Sequence, residues 1–175
     1  MEILDKQNCP VCHQKTLILK QDEIDIPHFG KVFVFSMNCD SCLYHQSDIE
    51  SLEVKEPIRC TLEINSEQDM KIKVIKSSFA TVKIPQLKMS VTPGPVSEGY
   101  ISNVEGVINK FKDVIESERD TTEDENVKIA AKKLLKKIWK VKLGDIPVKL
   151  VIEDPSGNSA ILSDKVIVEK LKRKS

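Results

Sequence analysis

Cys9-Pro-Val-Cys12 and Cys39-Asp-Ser-Cys42, with 26 residues between them, decide how this chain is read. A CxxC pair puts two sulfurs on one tight backbone knuckle, where both reach a single ion. Two knuckles complete a tetrahedral thiolate site with Zn–S bonds of about 2.3 Å. The interval is longer than in the shortest zinc fingers and suits a ribbon, in which two hairpins each carry a knuckle. Four thiolates leave no open position for water, so the implied Zn2+ is structural rather than catalytic. Paired disulfides and a redox CxxC are the competing readings. The first wants an export signal and the second a βαβ unit beside the cysteines, and neither is evident. His13 directly follows Cys12 and is the residue placed to substitute for a cysteine; His45, three past Cys42, reads as a surface residue. Cys60 alternates with polar neighbours in Ile58-Arg-Cys-Thr-Leu-Glu-Ile64 and reads as a small core residue on a half-buried strand.

Between the knuckles, residues 16–26 and 31–38 read as strands joined by a Pro27-His-Phe-Gly30 turn. The zinc module is therefore expected over residues 1–52. Beyond it, 58–65, 70–76, 79–84 and 87–91 carry alternating or β-branched residues, interrupted at Pro85 and Pro93-Gly-Pro95. Short, closely spaced strands predict a sandwich or a small barrel-like sheet pair. The period then changes. Val104, Val107, Ile108, Phe111 and Ile115 mark one amphipathic helix, and Val127, Ala131, Leu134, Leu135, Ile138 and Val141 a second. Ser102-Asn-Val-Glu105 and Thr122-Glu-Asp-Glu125 are capping-box candidates, and Gly144 is the expected stop. Strands return at 148–152 and 165–169, with a turn at Asp154-Pro-Ser-Gly-Asn158. Strands on both sides of the helices predict a helical hairpin, at about 103–143, inserted into one β-rich domain over 53–175.

Twenty-seven basic residues balance twenty-seven acidic ones, so the net charge is zero. That counts against a protein that coats nucleic acid, which carries an excess of Lys and Arg. No apolar run reaches the ~18 residues of a membrane span, and the first residues lack a basic-then-apolar signal pattern. A cytoplasmic protein is the expectation. No nucleophile elbow, P-loop, HExxH or GxGxxG occurs, and a binding protein rather than an enzyme is expected.

The two knuckles, Ile26-Pro-His-Phe29, Ala80-Thr-Val-Lys-Ile-Pro-Gln-Leu87, Val104-Glu-Gly106 and Asp154-Pro-Ser-Gly-Asn-Ser159 occur in an order that resembles the ZPR-one-type zinc finger family, over Cys9 to about Ile161. The resemblance implies a four-cysteine zinc ribbon followed by a β-rich domain like a double-stranded β-helix with an inserted helical hairpin. It implies a single module of the archaeal kind, where eukaryotic members carry two. It also implies a chaperone or adaptor that binds translation elongation factor one-alpha. The family usually has Gly where this chain has Leu43, an acidic residue at Phe79, and two threonines at Ser102-Asn103. Leu43 in a position suited to Gly implies local strain.

Candidate partner contacts are His28 and Phe29 at the hairpin tip, Lys132 and Lys136 on the lysine-rich second helix, and Asp154 and Asn158 in the late turn. Trp139 on the second helix is either an anchor or partly buried core. The alternative function is a nucleic-acid-binding zinc ribbon of the transcription or translation machinery, which requires affinity that falls steeply with salt.

Overall fold

The computed structural model describes residues 1–26, 30–51 and 55–171. Four antiparallel strands form the ribbon in the order β1 (Glu2–Gln7), β2 (Leu17–Ile26), β3 (Gly30–Cys39) and β4 (His45–Ser51). The two expected strands are central; β1 and β4, which carry few apolar residues, extend the sheet on either side. The links from β1 to β2 and from β3 to β4 lie at the same end, so both knuckles do too. Strand alternation sends Val32, Val34 and Ile49 to one face and Phe35 and Met37 to the other.

The rest of the chain pairs two sheets. One runs β12 (Ile167–Lys170), β5 (Ile58–Ile64), β10 (Val148–Asp154), β7 (Thr81–Ile84), β8 (Met89–Val91); the other runs β11 (Ala160–Leu162), β6 (Lys73–Lys76), β9 (Tyr100–Asn103). Their facing rows make the main core: Cys60, Leu62 and Ile64 from β5, Val148, Leu150 and Ile152 from β10, and Val74 from β6 are all buried. Cys60 is thus the core residue its strand pattern predicts. β6 is buried on both faces. Val74 points into the main core, while Ile75 packs with Ile26, Val32 and Ile49 of the ribbon.

Two expected strand ends prove helical. Residues 67–71 and 85–87 form short 3-10 turns, so β6 begins at Lys73 and β8 at Met89. At the second turn Pro85 sits in the first helical position and Lys88 takes a left-handed φ of 55°. The helical hairpin is α1 (Val104–Thr121) and α2 (Glu125–Lys142). α1 buries Val104, Val107, Ile108 and Phe111, and α2 buries Ala131, Ile138 and Val141.

Both caps lie elsewhere than expected. Asn103, not Ser102, caps α1 by accepting from the Gly106 amide at 2.7 Å. Asp124, not Thr122, caps α2 by accepting from Asn126 at 2.8 Å. A carboxylate or amide reaches the second or third amide as well as a hydroxyl does, so the box motif alone did not settle the start. Glu105 instead pairs with Lys142 at 2.6 Å, tying the two helices. Gly144 ends α2 at φ 80°, with Ser66 so close that a side chain would not fit.

Candidate functional site

Each knuckle is closed by the same backbone bonds. His13 N–H donates to Cys9 C=O at 2.9 Å and Cys9 N–H to Gln14 C=O at 2.9 Å; Leu43 donates to Cys39 at 3.0 Å and Cys39 to Tyr44 at 2.9 Å. That closure drives the residue after each CxxC into the left-handed region, at φ 58° for His13 and 59° for Leu43. The strain expected at Leu43 is real, and the first knuckle repeats it with His13. The His13 ring takes no place among the sulfurs.

The four thiols converge. Cys9 Sγ lies 3.7 Å from Cys42 Sγ and Cys12 Sγ 3.6 Å from Cys39 Sγ, and all four lie within 4.8 Å of one another. A regular tetrahedron of Zn–S bonds of 2.3 Å has S···S edges of about 3.8 Å. The set therefore fits the ion, and soft thiolate donors favour zinc over magnesium or calcium. All four cysteines are free thiols in the structure, which removes the paired-disulfide reading.

The Thr16 hydroxyl, 3.3 Å from Cys39 Sγ, and the Cys42 and Ser41 amides hold the Cys39 thiol down to about 6. Cys42 is pushed the other way, to about 12. The Tyr44 amide favours its thiolate, but burial and the three neighbouring sulfurs outweigh that bond. Four crowded thiols cannot all ionise without a cation among them, so metal entry and proton release go together. Thr16 also fastens one knuckle to the other. Its hydroxyl is 2.8 Å from Ser41 Oγ, and its C=O accepts from the Asp40 amide at 3.2 Å.

Cys9, Cys39 and Leu17 form a small core with Leu19, Met37 and Tyr44 packed against it. The metal site thus caps one end of the ribbon face that carries Leu4, Leu19, Phe35 and Met37, which line a half-open groove of about 370 Å³. The opposite face is packed in part, with Ile3 and Ile24 left exposed. Val32 and Ile49 are buried against Ile75, Ala160 and Leu162. Ser47 and Gly99 exchange a pair of hydrogen bonds, and Asp48 accepts from the Ser78 hydroxyl at 2.6 Å and amide at 3.2 Å. His45 Nδ1 meets Asn38 Oδ1 at 2.7 Å, while Nε2 faces Glu98 at 3.9 Å.

The other candidate contacts scatter. His28 and Phe29 lie outside the described residues. Lys132, Lys136 and Trp139 stand exposed on α2. Asp154 is a correction: it is 0% exposed and presents nothing to a partner. It is the last inward residue of β10, and its carboxylate accepts from Ser77 Oγ, Ser159 Oγ, Ser156 Oγ and the Ser156 amide. Asn158 is half-buried in the turn behind it. The docking residues Ser47 and Asp48, within β4, and the fastening residue Thr16, just before β2, carry no motif. No helix among the described residues is long and apolar enough to cross a membrane.

Residues 2–56 match the ZPR1 zinc-finger domain, and residues 68–175 match the ZPR1 jelly-roll domain. A ZPR1-like protein of Methanocaldococcus jannaschii is 40% identical over 98% of this chain and 87% of its own. One from Pyrococcus horikoshii is 39% identical over 94% of this chain and 75% of its own. The Schizosaccharomyces pombe protein named zinc finger chaperone zpr1 is 28% identical over 86% of this chain, which spans only 34% of that protein's length.

Proposed function

Because the chain belongs to the ZPR1 zinc-finger family, we propose that it is a zinc-dependent protein-binding module of the cytoplasm, a chaperone or adaptor for translation elongation factor one-alpha, with no catalytic activity. One observation carries the reading: the thiolate site organises the end of the ribbon face that bears the Leu19–Phe35–Met37 groove, while the other face packs Val32 and Ile49 on the rest of the chain. Metal affinity in such a site is folding free energy, so the ion sets the shape of an apolar surface that no part of the described chain covers. The fission-yeast relative's printed name, chaperone, supports the class of function. The elongation factor is the partner that the family resemblance suggests.

The test is capture of purified elongation factor one-alpha by the zinc-loaded chain. Capture should fall at least tenfold after chelation or with Cys39→Ser. Met37→Ser should also weaken it while leaving one zinc per chain. Undiminished capture by metal-free protein, or by both variants, sinks the reading.

A further inference from the structure

A second concavity, of about 310 Å³, lies away from the zinc ribbon's groove, between β6, β9, β7, the 91–98 connection and the start of α1. Its walls are Val82, Val107 and Phe111, and its rim is the exposed trio Val91, Val96 and Val114. Into this apolar cleft come two ammonium groups. Lys76 is only 4% exposed. Its Nζ donates to Ser77 C=O at 3.0 Å, Glu98 C=O at 3.3 Å and, at a long 3.4 Å, Ser97 Oγ. Every acceptor is neutral. Lys110 reaches over the Tyr100 ring at 4.6 Å from the centroid, and Lys76 approaches the same ring at 5.5 Å.

A buried cation without a counter-ion is costly, and a second cation beside it raises the cost. The ring's electron-rich face offsets part of it. Among the described residues no carboxylate pairs with either ammonium. Glu98, the acidic residue of the lining, gives Lys76 its carbonyl and turns its side chain toward His45. Burial accordingly holds the Lys76 pKa down, against the more distant pull of Asp154 and Asp48.

We infer that this cleft is a docking site for a polypeptide segment in which one acidic side chain is flanked by aliphatic ones. The carboxylate would replace the weak Ser97 contact on Lys76 and take its second partner from Lys110. The aliphatic neighbours would cover Val82, Val107 and the rim. A segment is favoured over a free small acid because the two ammonium groups call for a carboxylate while the rim is three exposed valines, Val91, Val96 and Val114, which the side chains flanking that carboxylate can cover. The inference rests on the reading of the chain as a protein-binding module, but not on which protein is bound.

The test uses zinc-loaded full-length chain with methyl-labelled valines and an acetylated, amidated Val-Glu-Val peptide, against the same peptide with Gln for Glu. The Glu peptide should move the Val82, Val107 and Val114 methyls and bind at least tenfold more tightly than the Gln peptide. Lys76→Met should erase that preference. Lys110→Met, at an exposed position, should reduce it at least threefold even if the buried substitution unfolds the chain. Equal binding of the two peptides, or shifts mapping elsewhere, overturns the inference. So does binding of octanoate where neither peptide binds, which would make the occupant a small acid. Any of these failures leaves capture of the elongation factor unaffected, because the peptides are tested without it.

Discussion

Asp154→Ala should cost the fold heavily and partner binding little. Asp154 is the hub of a closed network. Oδ2 accepts from Ser77 Oγ at 2.8 Å and Ser159 Oγ at 2.6 Å, while Oδ1 accepts from the Ser156 amide at 2.8 Å and its hydroxyl at 2.7 Å. Ser77 and Ser159 are 1% and 0% exposed, so their hydroxyls have no water to turn to. A buried hydroxyl left without its acceptor costs about 1–3 kcal/mol. Two of them make about 4 kcal/mol, and at 2–4 °C per kcal/mol for a chain of this size Tm falls by about 8–16 °C. Asp154→Asn keeps the shape and one acceptor oxygen but turns an NH2 toward donors, and should lose about half as much.

The assay is urea unfolding of zinc-loaded protein followed by circular dichroism, with partner capture measured well below each variant's Tm. Removing the Ser77 hydroxyl as well, in Asp154→Ala with Ser77→Ala, should recover part of the loss, because that donor then vanishes with its acceptor; Ser159 is kept because its Oγ also accepts from the Ser77 amide at 2.9 Å. If Asp154→Ala unfolds within about 1 kcal/mol of the wild type while capture is lost, the carboxylate is a contact rather than a hub, and the network reasoning fails.

Chelation should melt the knuckle end of the ribbon, seen as loss of dispersed amide resonances from residues 9–17 and 39–44, while the main core keeps its signals; Cys39→Ser should do the same without chelator. Leu43→Gly should stabilise, since the side chain is 84% exposed and the backbone sits at φ 59°. A gain of about 0.5–1 kcal/mol is a two- to fivefold tighter zinc competition constant. Asp69 gives a pH signature. Burial alone would raise its pKa, but Lys165, the Asn65 amide and Ser66 together lower it. A depressed carboxylate contributes stability above its unfolded pKa of about 3.9 that is lost as pH falls through the folded value. The stability difference between wild type and Asp69→Asn should therefore shrink on acidification, and a pH-independent difference would refute the assignment. Trp139, 62% exposed on α2, should emit as a solvated indole and survive Trp139→Ala with less than about 0.5 kcal/mol lost.

The ribbon, its thiolates and the inserted hairpin were legible because each rests on a period or a spacing. The sites that were misread or missed also had a period, carried one residue too far to notice. Val148, Leu150 and Ile152 predict an inward row, and Asp154 is simply its next member, which is why the carboxylate ends inside rather than at a partner's surface. Val74 and Lys76 stand in the same relation on β6, which brings a lysine to the cleft. The sequence pattern ends one strand at Ile152 and gives Asp154 to the turn, whereas pairing with Ile58 carries β10 through Asp154; Lys76 closes β6 as it closes the expected strand over 70–76. Burial of β6 on its second face was not legible at all. It depends on the ribbon folding back onto Ile75, a contact between residues far apart in sequence.

That fold-back binds the two halves into one mechanical unit. Ile75 packs on the ribbon's inner face, Ser78 donates to Asp48, and Gly99 pairs with Ser47. Lys76 lies between the first two of these contacts in sequence, and its ammonium grips the carbonyls of Ser77 and Glu98, next to the second and third. The backbone that shapes the cleft is thus the backbone that seats the ribbon. Gly99 has no slack in this seat, because a side chain there would press on Asp48 and the Ile49 amide. Zinc fixes the far end of β4 through the Cys39–Cys42 knuckle, and β4 is the strand that carries Ser47, Asp48 and Ile49. Any change that frees the knuckle has a covalent path of a few residues to the seat, so the ion's influence need not stop at the groove it caps.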